Sequence, residues 1–434
     1  MLKAYTCCGA TPNFQGMQTS IASRQRKANG DRPWVFGFLI APSAVTANGV
    51  IQGGALGYLL SLQHVSSGTQ SHLIGLLSLP TSLYFLWSPI TDFFVRRRTW
   101  LLAGGLLAAL FMAVGFQQPS LSSFAALSLM LISACASQLV VSSCGGMMGA
   151  LHSEQTRRVA ASLYQAGSLG FGALAAWLLI FSSSRVSQSA LGWLAAALIG
   201  IPTLVAFAAP RQQEVAADTL TATMRRVWGE FKTTFLRWDA LPYVACMTFP
   251  MASGAAVALL PGVARQYGVD GDHVAWVNGL LGGVMMAAGS AAMSLVRTRM
   301  RVPVLYMVVA LVNCACTAVL WIGPLSPTTY YTGILLYLFT VGSCYGVFTA
   351  VVLEFLGDSG RSGSARYSII NSLGNVPVLY MLQVDGWGAD RWGGRGLAGV
   401  EAVVGAIGAA LLLAFFLIRR PAPRPIVSVP PTTE

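Results

Sequence analysis

The stretch LPTSLYFLWSPITDFFVRRRTWLL, residues 79–102, joins the end of one apolar run to the beginning of another. The first run ends at Asp92, the arginines Arg96, Arg97 and Arg98 follow, and the second run begins at Thr99. An apolar run of about 20 residues is long enough to cross a bilayer as a helix, whereas arginine is costly inside the hydrocarbon. The stretch therefore predicts two membrane-spanning helices joined by a short basic loop.

The same alternation of apolar runs and short loops extends over most of the chain. Twenty-three of the 27 basic residues lie in the two terminal segments and the even-numbered loops, and the remaining four lie in odd-numbered loops. Because basic loops stay on the cytoplasmic side of a membrane, both termini are predicted to be cytoplasmic. The predicted fold class is an all-α integral membrane protein with twelve transmembrane helices. The predicted spans are approximately 34–60, 71–92, 99–116, 121–150, 158–182, 187–208, 240–262, 273–296, 302–323, 328–357, 364–386 and 397–418.

Composition agrees with a membrane protein and disfavours a nucleic-acid partner. The chain is 55% hydrophobic and 10% charged, with a mean hydropathy of +0.63, whereas soluble domains carry about 25% charged residues. The net charge of +12 lies beside helix ends, where it fixes topology and meets anionic lipid head groups. The histidines are scattered over different loops and helix ends, so neither a metal site nor a cofactor is predicted. They are His64, His72, His152 and His273.

The chain divides into two halves of six predicted spans. Residues 1–33 form a predicted basic cytoplasmic tail, and residues 34–208 form a predicted N-terminal six-helix bundle. The long segment 209–239 is a predicted cytoplasmic linker with a surface amphipathic helix around 224–235. Residues 240–418 form a predicted C-terminal six-helix bundle, followed by a short cytoplasmic tail at 419–434.

Two stretches resemble a known transporter family. The run FLWSP (residues 85–89), with Asp92, the three arginines and Trp100, is similar to the muropeptide permease (AmpG-type) branch of the major facilitator superfamily, whose relatives include acetyl-coenzyme A transporters and siderophore permeases. The segments SARYS (364–368) and NSLGN (371–375) are similar to the start of that branch's eleventh helix. The resemblance implies the major facilitator fold, in which two six-helix bundles rock about a central site. It also implies secondary active transport, with the chain acting as a permease or symporter.

The chain departs from the family pattern at two places that bear on function. The general loop motif has glycine four residues before the aspartate and a basic residue just after it, where this chain has Ser88 and Phe93. The muropeptide permeases carry acidic residues in the fourth helix, where residues 139–143 here are apolar or hydroxylic. The resemblance therefore does not by itself imply a substrate or coupling mode that depends on those acids.

Acidic and basic residues near the ends of the predicted spans are candidates for gating or coupling. Asp92 is predicted to pair with Arg96 or Arg97 and to latch the halves together, or else to be an ordinary helix-end charge. Glu354 is the acid most clearly inside a span. It is predicted to carry a proton, to pair with Arg361 or Arg366 as a gate, or to lie at a solvated helix end.

Two further acids are placed in the last predicted hairpin. Asp385 is predicted to lie on the outer loop between the eleventh and twelfth spans, with Asp390, Arg391 and Arg395. Glu401 lies about one turn into the last span, where a structural or snorkelling role is expected.

Amide and aromatic side chains are the candidates for substrate binding. No lysine or arginine lies in the middle of a predicted span, so an uncharged binding surface is predicted. Buried amides need partners in lipid, and some of these residues could only bridge helices. Asn48 and Gln52 share one face of a span interrupted by proline and glycine, which is typical of a transporter cavity. The predicted binding residues are Asn48, Gln52, Gln138, Tyr164, Gln165, Asn278, Tyr345, Asn371 and Asn375.

The function predicted from these features is proton-coupled import of a polar organic solute, such as a siderophore or a muropeptide, by alternating access. The alternatives within the fold are an uncoupled facilitator and a transporter of acyl-coenzyme A or another metabolite. A membrane enzyme is disfavoured, because the acids and histidines do not cluster. A sensor is disfavoured, because no sizeable output domain is visible. The predicted location is a bacterial inner membrane and the predicted state is a monomer.

Overall fold

The protein is described by a computed structural model that covers residues 32–87, 90–92, 95–149, 151, 154–209, 220–236, 240–296, 298–356, 370 and 372–418. All regular structure in these ranges is helical. The all-α prediction is therefore confirmed for the described part of the chain.

The first half of the chain forms a bundle around a helix that is not continuous. Several helices begin at side-chain caps, such as the Ser66 hydroxyl that accepts the backbone N–H of Thr69 at 3.2 Å. The α-helices are α1 (Val35–Leu39), α2 (Ala41–Ser43), α3 (Ala55–Leu62), α4 (Ser67–Ser82), α5 (Tyr84–Trp87), α6 (Arg97–Phe116), α7 (Phe124–Gly149), α8 (Glu154–Ser182) and α9 (Gln188–Thr203). A π-helix spans Ala44–Ile51, and 3₁₀ turns span Ile90–Asp92 and Leu204–Ala208.

The second half repeats this layout after an intervening amphipathic helix. That helix, α10 (Leu220–Phe235), carries stacked rings of Trp228 and Phe231. The remaining α-helices are α11 (Leu241–Thr248), α12 (Leu260–Val263), α13 (Gly271–Val274), α14 (Gly282–Leu295), α15 (Val302–Ile322), α16 (Pro327–Leu356) and α17 (Val376–Ile418). 3₁₀ turns span Ala255–Ala258 and Ala264–Tyr267, and a π-helix spans Ala275–Leu281.

One helix in each bundle is interrupted near its middle. The first broken helix, residues 35–62, loses its regular pattern at residues 52–54, where Gly54 has a φ of 89°. The second broken helix, residues 241–267, is unwound at residues 249–254, where Ala252 and Gly254 have φ values of 52° and 71°. A left-handed alanine costs roughly 1–2 kcal/mol, and strained backbone of this kind is characteristic of functional sites. The two breaks therefore mark the part of the fold to inspect for a ligand site.

Nine helices within the described ranges are long and apolar enough to cross a membrane. The predicted span 71–92 corresponds to the shorter α4 and α5, and the span 240–262 corresponds to the second broken helix. The last two predicted spans are joined in α17, which turns at Gly393 (φ 65°, ψ −154°). These three differences account for the gap between nine and twelve, and the count of twelve stays a prediction.

The last hairpin differs from its prediction. The predicted outer loop is helical, because α17 continues through it on both sides of Gly393. The glycines there allow its two arms, residues 376–392 and 394–418, to approach closely, since a Cβ at Gly388 would lie 2.8 Å from the carbonyl oxygen of Gly396. Asp385 is fully buried rather than on a loop, and Glu401 is only 4% exposed rather than snorkelling. The predicted place of Asp385 was therefore wrong. For Glu401 the burial excludes the snorkelling role, and the structural role stays a prediction.

Helices within a bundle pack through very close backbone contacts. In the second bundle, a Cβ added at Gly289 of α14 would overlap the carbonyl oxygen of Phe339 in α16. Likewise, a Cβ at Gly342 of α16 would overlap the backbone of Met286 in α14. Small residues allow such approach where no hydrophobic effect drives helices together. For orientation, the basic end of the molecule is the one that carries Arg96–Arg98, and the opposite end, which carries Arg185, is the far end.

Candidate functional site

A cavity of about 360 Å³ lies between the two bundles, beside both broken helices. A smaller chamber of about 150 Å³ lies next to it and shares several of its lining residues, Asn48 and Gln52 among them. Seven of the nine predicted binding residues line the larger cavity: Asn48, Gln52, Gln138, Tyr164, Gln165, Tyr345 and Asn375. Asn278 lines the smaller chamber, and Asn371 lies outside the described residues. The fold thus gathers eight of these residues around one space.

The amides of the cavity differ in how their hydrogen bonds are used. The amide of Asn48 donates to the Ser168 hydroxyl at 3.0 Å, and that of Gln138 donates to the Thr81 hydroxyl at 3.3 Å. Both bonds bridge helices of the first bundle. The buried Nε2 of Gln52 has no partner among the described residues. A buried donor without a partner costs free energy, so Gln52 is the amide best placed to donate to a bound solute.

The lining of the larger cavity carries no charged side chain among the described residues. Its polar groups are amides and hydroxyls, and aromatic rings and methionines supply its apolar surface. Pockets of this composition bind solutes by apolar contact and use a few hydrogen bonds to orient them. The rings are those of Tyr84, Tyr164, Tyr306, Tyr345 and Phe348, and the methionines are Met247, Met251 and Met286.

The unwound part of the second broken helix contributes directly to the cavity wall. Ser253 lines both chambers, and its backbone carbonyl accepts the hydroxyl of Tyr345 at 3.4 Å. The side chain of Ser253 points the other way, into the second bundle, where it donates to Glu401 Oε1 at 3.2 Å. The break therefore connects the cavity surface with a buried carboxyl group.

The two broken helices meet on the far-end side of the cavity. A Cβ at Gly57 of α3 would overlap the carbonyl oxygen of Ala258 in the second broken helix. A Cβ at Gly54 would lie 2.9 Å from the carbonyl oxygen of Val257. These contacts join the first bundle to the second and close this side of the cavity.

Helix α8 of the first bundle closes the same side against the π-helix of the second bundle. The rings of Trp177 and Trp276 lie 5.2 Å apart between centroids, and a Cβ at Gly279 would lie 2.7 Å from the backbone nitrogen of Trp177. Beyond these rings, Arg185 forms a bidentate ion pair with Asp272, with N–O distances of 2.7 and 2.6 Å. Both side chains of this pair are nearly half exposed.

Helices α4 and α17 form a third contact between the bundles. The side chain of Gln383 donates to the carbonyl oxygen of Ser71 at 3.1 Å, and a Cβ at Gly386 would lie 2.6 Å from the Cβ of Ser71. Near the basic end, the backbone N–H of Phe85 donates to the hydroxyl of Ser372 at 3.2 Å. Phe85 lies in α5 and Ser372 just before α17, so contacts between the bundles on this side reach from the far end towards the basic end.

We expect reversal of one charge of the Arg185–Asp272 pair to weaken closure of the far end slightly, and reversal of both charges to restore it. Arg185→Asp alone places two carboxylates together and favours separation at the far end, whereas Arg185→Asp with Asp272→Arg restores the pair. Because exposed ion pairs contribute little, the single change should alter the closed population by less than about five-fold. Distances between spin labels on the far-end loops of purified protein measure this population. A double variant that behaves like the single one would show that the pair does not stabilise closure.

The predicted gating residues are only partly described. The side chains of Asp92, Arg361 and Arg366 lie outside the described residues, so their predicted pairings are untested. The Arg97 guanidinium packs against Gly146 of α7. Glu354 is half-buried near the end of α16 and accepts the hydroxyl of Tyr243 at 3.0 Å.

Sequence reasoning missed that the buried acids Asp385 and Glu401 interact with each other inside the second bundle. The two acids are 16 positions apart in a segment whose glycines are typical of a loop, so nothing local indicated that they meet. The signal available was the depth of Glu401 inside an apolar run, where an acid requires a partner.

Comparison with known proteins agrees with this architecture. Residues 36–379 match the sequence profile of the Major Facilitator Superfamily. A crystal structure of a D-xylose–proton symporter superposes with a TM-score of 0.65 at 13% sequence identity, covering 88% of this chain and 95% of that one. A crystal structure of a mutant of the nucleoside transporter NupG gives 0.67 at 12% identity, covering 89% and 98%. At these identities the likeness concerns the fold alone. No curated protein sequence matches the chain significantly.

Proposed function

The chain belongs to the Major Facilitator Superfamily, and we propose that it imports an uncharged polar organic solute by proton-coupled alternating access. Membership makes it a multi-pass membrane transporter of small molecules rather than an enzyme. The observation that carries the proposal is the cavity between the bundles, whose described lining carries no charged side chain and includes both broken helices. In transporters, discontinuous helices of this kind form the substrate site.

The proposed topology follows from the distribution of basic residues. The bundles are residues 34–208 and 240–418, joined by the segment 209–239, and the tails 1–33 and 419–434 lie in the cytoplasm. The proposed location is a bacterial inner membrane, and the proposed state is a monomer. The basic end then faces the cytoplasm, where Asp92 with Arg96 or Arg97, and Glu354 with Arg361 or Arg366, are proposed as latches.

The cavity chemistry narrows the proposed solute. A muropeptide carries carboxylates and is best held by a fixed cation, which the described lining lacks. Amides, tyrosine hydroxyls and methionines suit a neutral solute with amide, hydroxyl or aromatic groups. Among the substrate classes that the sequence resemblance implies, we therefore propose a neutral siderophore in preference to a muropeptide or an acyl-coenzyme A.

Thermal stability of the detergent-purified protein tests the substrate class. The probes are a neutral hydroxamate or phenolate siderophore, a muropeptide, a coenzyme A thioester and a sugar. A ligand at about a hundred times its dissociation constant adds about 2.7 kcal/mol to the folded state. We expect the siderophore to stabilise the protein most. Stabilisation by the muropeptide alone would contradict the neutral-solute proposal.

The amide of Gln52 provides a direct test of the cavity. Gln52→Leu should weaken binding of the stabilising probe about ten-fold, because one hydrogen bond to the solute is lost. The matched control is Gln117→Leu, an amide at the far end that bonds to Ser189 outside the cavity. Calorimetric titration measures both affinities. Equal affinities in the two variants would remove Gln52 from the binding site.

A further inference from the structure

Two carboxyl groups lie against each other inside the second bundle, away from the cavity surface. Asp385 is on the 376–392 arm of α17 and Glu401 is on the 394–418 arm, with exposed fractions of 0% and 4%. Glu401 Oε1 accepts hydrogen bonds from the hydroxyls of Tyr337 at 3.1 Å and Ser253 at 3.2 Å. Neither Glu401 Oε2 nor either carboxyl oxygen of Asp385 has a partner that can donate, among the described residues.

The missing donor is accounted for by a proton. The two buried carboxyl groups interact directly with each other, but two carboxylates offer only acceptors. A hydrogen bond between them therefore requires a proton on one of them. Two unprotonated carboxylates side by side in a buried site would repel each other without screening, as in other acid pairs that share a proton.

No cation in the described part of the chain compensates the pair. The titratable groups that face the pair are uncharged near neutral pH. They are Tyr337 and Tyr345 of α16, Cys314 of α15 and Tyr380 of α17. Neither carboxyl group has a charge interaction with a lysine, arginine or histidine among the described residues. Protons are thus the means by which this site reduces its charge.

The pair is connected to the cavity wall on one side and to the contact between the two bundles on the other. Ser253 links Glu401 to the cavity wall through the unwound segment 249–254. On the other side, Gln383 and Gly386 flank Asp385 in sequence and contact Ser71 of the first bundle. Separation of α4 from α17 at the far end would therefore uncover the helix surface next to Asp385.

We propose that Asp385 and Glu401 form the proton-carrying site of the transporter. One proton stays shared between the two carboxyl groups, and a second binds from the far-end water when the bundles part there. With two protons the pair is neutral, and with one it carries a charge of −1. The second proton leaves towards the cavity past Ser253 when the basic end is accessible. This inference rests on the proposed transport function, and it moves the proton role from Glu354 to this pair.

Infrared spectroscopy of the purified protein in lipid tests the site without any substrate. A protonated carboxyl group gives a C=O stretch that shifts in D₂O, and aspartate or glutamate labelled with ¹³C at the carboxyl identifies the residue type. We expect wild-type protein at pH 7 to show such a band, and Asp385→Asn or Glu401→Gln to change it. The control Asp390→Asn, an exposed acid on the same arm, should leave it unchanged. The absence of a protonated-carboxyl band in labelled wild-type protein would overturn the proposal. This measurement does not depend on the folding of any variant.

Transport in proteoliposomes tests coupling separately. With the stabilising probe as solute, Asp385→Asn and Glu401→Gln should retain solute exchange but lose accumulation driven by a pH gradient, at least ten-fold relative to Asp390→Asn. Accumulation that survives in both variants would overturn the proposal. So would accumulation that follows a sodium gradient at constant pH. Absence of all exchange in the wild type, with a carboxyl band that titrates with pH, would instead contradict the transport function and leave the proton site standing.

Discussion

Replacing Gly289 with leucine is expected to destabilise the second bundle by about 3 kcal/mol or more. The added side chain would overlap the carbonyl oxygen of Phe339, and the backbone of α16 cannot move away without breaking its own packing. The opposite contact, Gly342 against Met286, is just as close, so α14 cannot slide to make room. Because dispersion and helix contact hold membrane bundles together, the loss is not offset by burial elsewhere.

The measurement for Gly289→Leu is the fraction of monodisperse protein after purification, together with its unfolding in mixed micelles. The matched control is Gly170→Leu, a helical glycine of α8 whose Cβ would have nothing within 4 Å. We expect the control to resemble the wild type and the Gly289 variant to aggregate or unfold early. Equal stability of the two variants would show that α14 and α16 do not pack as closely as described.

Replacing Gly57 with leucine is expected to hold the far end open without unfolding either bundle. Gly57 contacts Ala258 across the interface between the bundles, so the bundles can relieve the overlap by moving apart as units. An overlap worth about 1–3 kcal/mol reduces the closed population roughly 5- to 150-fold. Solute exchange should fall by at least ten-fold, because the cycle requires closure at this end.

Distances between spin labels at positions 184 and 325, one on each bundle, measure opening of the far end in a variant without native cysteines. Gly57→Leu should lengthen the mean distance, whereas Gly170→Leu should not. Unfolding in mixed micelles should be the same for both variants. A Gly57 variant that unfolds early would show that the two broken helices form part of one rigid core instead of a moving interface.

The sequence predicted the class of this protein because membrane insertion is decided locally. Each apolar run and each basic loop contributes its own transfer free energy, so topology can be summed along the chain. The amides of the cavity were also predictable, since amides such as Gln52 and Gln138 are rare and costly in an apolar run. Their convergence on one space was expected from the family resemblance and is found in the structure for eight of the nine residues.

The last hairpin shows where local reasoning stopped. Glycines at 386–396 are typical of a soluble loop, but backbone groups in lipid must be satisfied within the chain, so the segment stays helical. Its glycines serve close contact between the two arms, which sequence periodicity does not reveal. Asp385, at the very end of the span predicted for 364–386, was therefore assigned to the outer loop, and its burial could not be inferred.

By itself the sequence determined that the chain is a helical membrane protein, and it predicted two related halves and an uncharged binding surface. Only the tertiary structure decided that Glu401 meets Asp385, that Ser253 connects this pair to the cavity, and that the far end is closed by backbone contacts. The physical reason is the separation along the chain of the residues that decide each property. Desolvation of a helix depends on its own residues, whereas the protonation of a buried acid and the closure of an interface depend on groups brought together from distant parts of the chain.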